Sequence, residues 1–365
     1  MIDNTTFDYH KIGHPHTRPR LSFDHEGAES ASWPGSRGIP MTFPRRRFLH
    51  LAAGAAVLPA LSRSALAQTY PSRPVRIIVP IAAGGASDAA MRPIAQWLSE
   101  RLGQPFAVEN RPGAGTNLGT EAAVRAPADG YTLLLVNPAN VINATLYDRL
   151  NFDFVRDIAP VASIVSVPNV MAVNPSFPAK TVPEFISYAK ANPGKVNMAS
   201  AGIGSPAHVA GELLKMMTGI DLVHVPYRGG APANTALIGG QVDMMFTVMT
   251  GSIGHIRGGK LRPLAVTTAK RHEALPEVPT MSEFVPGFEA ISVYGLGAPR
   301  NTPAEIVGRL NNEVNAGLAD PKIKAGLAGL GGTLLMGSPA DFAKLIADET
   351  EKWAKVIRAA NIKPE

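Results

Sequence analysis

Twice in this chain a short β-branched run feeds a Gly/Ser loop that opens an amphipathic helix, at 75–102 and again at 196–218. In the first unit Val75–Pro80 reads as a buried strand, and Ala82-Ala83-Gly84-Gly85-Ala86-Ser87-Asp88 follows it. Met91, Ile94, Ala95, Leu98 and Leu102 then recur at helical spacing until Gly103, placed to end the helix. In the second unit Val196–Ala199 is the strand, Gly202-Ile203-Gly204-Ser205-Pro206 the loop and Ala207–Thr218 the helix. Such alternation predicts an α/β fold with a parallel, doubly wound sheet.

The same rhythm runs between and beyond these units. Strands are expected at Phe106–Glu109, Tyr131–Val136, Leu222–Val225, Val242–Thr247 and Leu264–Thr267. Helices are expected from about Leu118, over Val182–Ala191 and Ala233–Ile238, and through Ile253–Arg257. The tail reads as three helices, Pro303–Leu318, Pro321–Leu330 and Pro339–Ala360, each with proline at its start. Trp353, Val356 and Ile357 are expected to pack on the body of the protein. Met216-Met217 and Met244-Met245 read as core rather than site.

Residues 1–67 read as an address rather than a fold. Arg45-Arg46, one spacer and Phe48-Leu49 resemble a twin-arginine export signal. An apolar stretch from Leu51 to Leu61 follows, then Ala65-Leu66-Ala67 as a cleavage site before Gln68. The stretch is far short of the roughly 20 residues needed to span a bilayer. Because the spacer is itself Arg47, the general secretory route is the alternative. Met41 is the expected start, with a long polar leader as the other reading.

Charge and composition then exclude several functions. Residues 1–67 hold 8 Lys/Arg and 5 Asp/Glu, leaving 27 and 24 for the remainder, where no basic run occurs. Nucleic-acid binding is therefore not expected. With 0 cysteines there is no thiolate chemistry and no Cys-based metal site. Beyond residue 67 the histidines, 208, 224, 255 and 272, stand singly, against a metal cluster. Gly113-x-Gly115-x-x-x-Gly119 lacks dinucleotide-loop spacing, and no Gly-x-Ser-x-Gly or His-Glu-x-x-His occurs. The chain reads as a non-enzyme without cofactor or metal.

The chemistry that remains is anion capture. Free amides at a helix start, with the positive end of the helix dipole, attract a carboxylate, and glycines admit it to the backbone. Ser87 or Asp88 is placed to cap the first helix and Ser205 the second, with Pro206 at N1. Each loop taken alone also fits an ordinary tight connection.

Several motifs extend this reading. Pro80-x-x-x-Gly84-Gly85-x-x-Asp88-x-x-x-Arg92 resembles the opening of the tripartite tricarboxylate transporter receptors, the Bordetella uptake gene family. Val108-Glu109-Asn110-Arg111-Pro112-Gly113-Ala114-Gly115 and Asp129-Gly130-Tyr131-Thr132-Leu133-Leu134 match the next motifs. His224-Val225-Pro226-Tyr227-Arg228-Gly229, Pro232-Ala233 and Gly239-Gly240-Gln241-Val242-Asp243 continue the series. Gly259-Lys260-Leu261-Arg262-Pro263-Leu264-Ala265 and Pro276-x-Val278-Pro279-Thr280 complete it. The motifs are weak singly and specific in this order over 70–365.

The resemblance implies a periplasmic, two-lobed binding protein of type II-like topology, with two chain crossovers and the ligand in the interlobe cleft. Residues 68–168 and 292–365 would form one lobe and 169–291 the other, with hinges near Val167–Val170 and Ser292–Gly295. It implies a monomer that holds a small carboxylate through main-chain amides and ordered water and hands it to integral-membrane permease subunits. A sensory receptor of the same fold is the alternative. The ligand-binding residues implied are Gly84, Gly85, Ala86, Ser87 and Asp88 on one lobe. On the other they are Ser200, Ala201, Gly202, Ile203, Gly204 and Ser205, with His208 behind and Tyr227, Arg228 and Gly229 along the cleft.

Asn137 and Asn140, after the third strand, are also cleft candidates. Asp88 reads as a cap, a water holder or a partner for a ligand amine; His208 as structural or ligand-touching; Arg228 as a partner for a distal carboxylate or a surface residue. Ile81, Ala199-Ser200-Ala201 and Met249-Thr250-Gly251-Ser252 depart from the family pattern, so the ligand itself does not transfer from the family.

Overall fold

The computed structural model describes residues 70–84 and 86–364. The export signal and Gly85 lie outside the described residues. Strand β1 (Val75–Val79) leads to helix α1 (Ala86–Leu102), β2 (Phe106–Asn110) to α2 (Asn117–Val124), and β3 (Thr132–Val136) to α3 (Pro138–Leu146). A single turn, α4 (Phe154–Asp157), precedes the 16-residue strand β4 (Ile158–Val173). Then come α5 (Val182–Ala191), β5 (Val196–Ser200), α6 (Pro206–Thr218), β6 (Leu222–Pro226) and α7 (Gly230–Ile238). The chain continues through β7 (Met244–Val248), α8 (Met249–Arg257) and β8 (Arg262–Val266) to a second long strand, β9 (Ile291–Pro299). Helices α9 (Ala304–Ala319) and α10 (Pro321–Gly329), the short β10 (Thr333–Leu334) and α11 (Pro339–Ala359) complete it.

The strand order is β2-β1-β3-β9-β4-β7-β5-β6, with β8 and β10 also on β4. Within each half the pairing is parallel: β1 with β2 and β3, β5 with β6 and β7. The sheet as a whole is mixed rather than purely parallel, because β9 and β4 run antiparallel to their neighbours. Strand β4 pairs with β9 from Ile158 to Pro168, then with β7 from Asn169 onward. One strand thus serves both halves. Its two prolines are tolerated for local reasons: Pro160 borders a register shift and Pro168 ends the β9 pairing.

The apolar core is continuous across the halves. Ile78, Leu134 and Val136 belong to the same buried cluster as Phe185, Leu214 and Phe246. Helix α11 starts with a capping box of Ser338 and Asp341. It packs on α3 and β4 and reaches α6, burying Trp353, Val356 and Ile357 as expected. Met244 and Met245 are buried, but Met216 and Met217 lie 50% and 36% exposed on the last turn of α6, contrary to the expectation that both pairs are core. The inward stripe of α6 is already filled by Val209, Ala210, Leu213 and Leu214, which leaves the two methionines on the outer face.

Gly295 shows how tightly the long strands are packed. A Cβ there would sit 2.3 Å from Phe342 Cζ and 2.6 Å from the Ala162 carbonyl oxygen. Gly295→Ala is expected to cost about 1–3 kcal/mol by overpacking. Urea unfolding would show a lower midpoint with an unchanged slope.

Candidate functional site

Within each half the three parallel strands point their carboxyl ends the same way, so the loops that follow them share one edge of that half. In open α/β sheets ligands bind at that edge. On the first half it carries the loop after β1 (81–84 of the described residues), the turn after β2 and Asn137 after β3. On the second it carries 201–205 after β5, 227–229 after β6 and the start of α8 after β7.

The first loop is organised by Asp88, which is 2% exposed. Its Oδ2 accepts from the Gly84 amide at 2.9 Å and from Arg92 Nε at 2.9 Å. Its Oδ1 accepts from Arg92 Nη2 and Asn110 Nδ2, each at 3.0 Å. Asn110 Nδ2 also donates to the Ile81 carbonyl at 3.1 Å, tying the end of β2 to the loop. Burial opposes the charged carboxylate, but Arg92, the Gly84 amide and Asn110 outweigh it and hold its pKa below the ordinary value. The geometry makes Asp88 a loop brace. Ser87 is buried beside Tyr294 of β9, whose phenol burial pushes up to about 12.

Asn137 is the N-cap of α3. Its Oδ1 accepts from the Ala139 amide at 2.9 Å, while its buried Nδ2 has no partner among the described residues. Asn140 closes the capping box by accepting from the Asn137 amide at 2.8 Å and donating to Thr120 Oγ1 at 2.7 Å. Both polar atoms of Asn140 are therefore engaged within the protein. Asn137 retains a free donor.

The second loop is organised by two histidines. His208 Nδ1 accepts from the Gly204 amide at 3.0 Å. Ser200 Oγ lies 2.6 Å from His224 Nε2, accepts from the Gly202 amide at 3.1 Å and donates to the Gly202 carbonyl at 3.0 Å. The two imidazoles stack with centroids 3.7 Å apart and planes 6° from parallel. The Ser205 hydroxyl caps α6 by accepting from the His208 amide at 3.4 Å, and its own amide bonds to the Gly202 carbonyl. Among the described residues this leaves the amides of Ala201, Ile203 and Ala207 without an acceptor. Gly202, at φ 128°, abuts the Tyr227 carbonyl, and the Tyr227 amide donates to the Ser200 carbonyl at 3.0 Å. Gly229, at φ 115°, starts α7 without a side-chain cap, and Arg228 is exposed.

The structure therefore assembles two clusters, Gly84 with Ser87 and Asp88 on one half, and Ser200–Ser205 with His208 and Tyr227 on the other. No hydrogen bond joins the two loops among the described residues. The halves meet instead where Gly204 lies against Leu146: a Cβ on Gly204, whose φ is 71°, would fall 2.2 Å from Leu146 Cδ2. Sequence reasoning does not single out His224. The register of β5 on β6 sets it opposite Met198, from where its ring reaches Ser200 two residues on, and no spacing in the chain encodes that. The turn after β2 is also unmarked as a site, yet Gly113, Ala114, Gly115 and Thr116 all have positive φ, a costly run for its two non-glycines.

Burial first, then His224 and Lys215, lowers His208 to about 3; burial and Lys215 lower His224 to about 4. Both folded values lie below the usual value near 6.5, so the folded protein binds fewer protons than the unfolded chain below that pH. The stability contributed by the neutral pair is complete above about pH 6.5 and is lost as pH falls toward 4. Melting temperature is expected to drop across that window. His208→Asn/His224→Gln should flatten the drop, leaving the part due to His272, which burial also lowers.

Comparison with known proteins supplies the family. Residues 90–362 match the model of the tripartite tricarboxylate transporter family receptor. Protein BugT of Bordetella pertussis is 36% identical over 300 residues, 81% of this chain and 92% of BugT. R. palustris Rpa4515, solved with adipate, superposes with a TM-score of 0.74 at 38% identity, covering 81% of this chain and 100% of that one. MatC from Rhodopseudomonas palustris, solved with bound malate, gives 0.70 at 32% identity, over 79% and 100%. The chain belongs to the tripartite tricarboxylate transporter family of receptors, two-lobed solute-binding proteins of the α/β class.

Proposed function

We propose that this protein is a periplasmic receptor that captures a small carboxylate between its lobes, without catalysis, and delivers it to the permease of a tripartite transporter. The observation that carries the reading is a strand-end glycine loop with open backbone amides on the second half, together with a first glycine loop that carries no unmatched negative charge. Among the described residues Ala201, Ile203 and Ala207 keep free amides, while the one acid at the first loop, Asp88, is matched by Arg92 and Asn110. Such donors hold an anion by hydrogen bonds and helix dipole, without an ion pair. Asn137 Nδ2 is a further donor, and exposed Arg228 suits a second carboxylate. The relatives solved with adipate and with malate favour the same class.

The lobes are taken as 68–168 with 292–365, and 169–291. In support, β4 changes partners between Pro168 and Asn169, and β9 begins at Ile291. Closure about Val167–Val170 and Ser292–Gly295 is a population shift driven by tighter binding to the closed form.

Adipate and malate are the first ligands to test by thermal shift and calorimetry, followed by a panel of other carboxylates. A carboxylate that binds with a dissociation constant near 1 μM releases about 8 kcal/mol. At 100 times that constant it adds about 2.7 kcal/mol of stability. Stabilisation by neutral compounds alone, or by none while mass spectrometry of the denatured protein finds no carried-over carboxylate, would overturn the reading.

A further inference from the structure

We propose that His208 and His224 are positioning residues for the second loop: a neutral, stacked pair that fixes Gly202 and Gly204 so that Ala201 and Ile203 present their amides to the ligand. The proposal rests on the carboxylate-receptor reading and says which side chains shape that site without touching the ligand.

The geometry points to this in three ways. First, each imidazole holds the loop at a different glycine. His208, from the first turn of α6, accepts from the Gly204 amide at 3.0 Å, and His224, from β6, reaches the Gly202 amide through Ser200 Oγ. Second, an acceptor at Nδ1 fixes the tautomer of His208: the ring is neutral with its proton on Nε2. That Nε2 faces Glu212 Oε1 at 3.8 Å, too far for a hydrogen bond. Glu212 is instead paired with Lys215 Nζ at 3.0 Å. Third, the rings stack at 3.7 Å, a spacing that two imidazolium ions in a buried site would oppose. Burial and the Lys215 charge keep both rings neutral well below neutral pH. Gly202 and Gly204 both have positive φ, at 128° and 71°, which glycine adopts freely among many other conformations, so the side-chain bonds select this one.

Ring-atom mimicry gives the test. Asn places an acceptor where His Nδ1 sits, and Gln places a donor where His Nε2 sits. His208→Ala and His224→Ala are expected to weaken adipate or malate binding by about tenfold or more, whereas His208→Asn and His224→Gln should stay within about threefold of the unsubstituted protein. In parallel, nuclear magnetic resonance on the ligand-free protein reads the loop directly. His208 should remain the Nε2–H tautomer down to about pH 4. The Gly202 and Gly204 amides should be protected from exchange, lose protection in the alanine variants and regain it in the Asn and Gln variants.

Alanine variants that fold, keep protection at both glycines and bind as well as the unsubstituted protein would overturn the proposal. A His208 that titrates near 6.5, or carries its proton on Nδ1, would overturn it as well. If the unsubstituted protein binds neither probe nor any other carboxylate, the receptor reading fails, and the tautomer and exchange measurements still decide the positioning role.

Discussion

Everything in this molecule hangs on one antiparallel pair. Strands β4 and β9 run alongside each other from Ile158 opposite Pro299 to Pro168 opposite Ile291. The parallel strands of the first half attach through β3 on β9, and those of the second through β7 on β4. Two parallel sets are thereby joined without a further crossover helix. The handover is secured by buried polar contacts. The Asn169 amide donates to Thr267 Oγ1 at 3.0 Å, Asn169 Nδ2 donates to the Ala290 carbonyl at 2.8 Å, and Thr267 Oγ1 lies 2.7 Å from the same carbonyl. Backbone groups that lose a strand partner at the switch would otherwise be left unpaired at a cost. In the proposed closure of one lobe on the other, this cluster would stay intact while the strands beside it bend.

That pair is also what sequence reasoning reads least well. The strand–loop–helix units at 75–102 and 196–218 carry strong local signals, β-branched runs and helical spacing, and both form as expected. Strand β4 carries prolines at 160 and 168, which argue against a central strand, and its tolerance of them depends on a bulge and on a change of partner. Helix α3 begins Pro138-Ala139-Asn140-Val141 and includes Asn143, a composition poor in helix formers. It forms because Asn137 and Asn140 make a capping box and because α11 covers its apolar side. Composition alone reads those asparagines as loop residues.

At the site the glycines are legible and the hydrogen bonding is not. A glycine-rich strand end announces backbone that a ligand can approach, but not which amides stay open. Gly84, Gly202 and Gly204 are all flanked by plausible anion donors, yet each directs its own amide to a side chain of the protein: Asp88, Ser200 and His208. The same fact accounts for an acid beside the proposed anion site. Asp88 offers its oxygens to Gly84, Arg92 and Asn110, so its charge is matched before any ligand arrives.

Loops braced in this way have a physical advantage for binding. A flexible glycine loop would have to be ordered by its ligand, at an entropic cost for every residue fixed. Here Asp88 on one half and the stacked histidines on the other fix the loops by internal bonds, so less of the binding energy is consumed in ordering. On the proposed reading, the remaining free amides recognise a carboxylate as such and are indifferent to the rest of the ligand. On that reading, discrimination among carboxylates would fall to the loops that flank the second anchor on the same sheet edge, at Tyr227–Gly229 and at the start of α8, where Met249 packs against Gly331. Of these, Tyr227–Gly229 lies in a motif read as shared with the family, whereas Met249–Ser252 reads as a departure from it, which suits a shared anchor and a variable far end of the ligand.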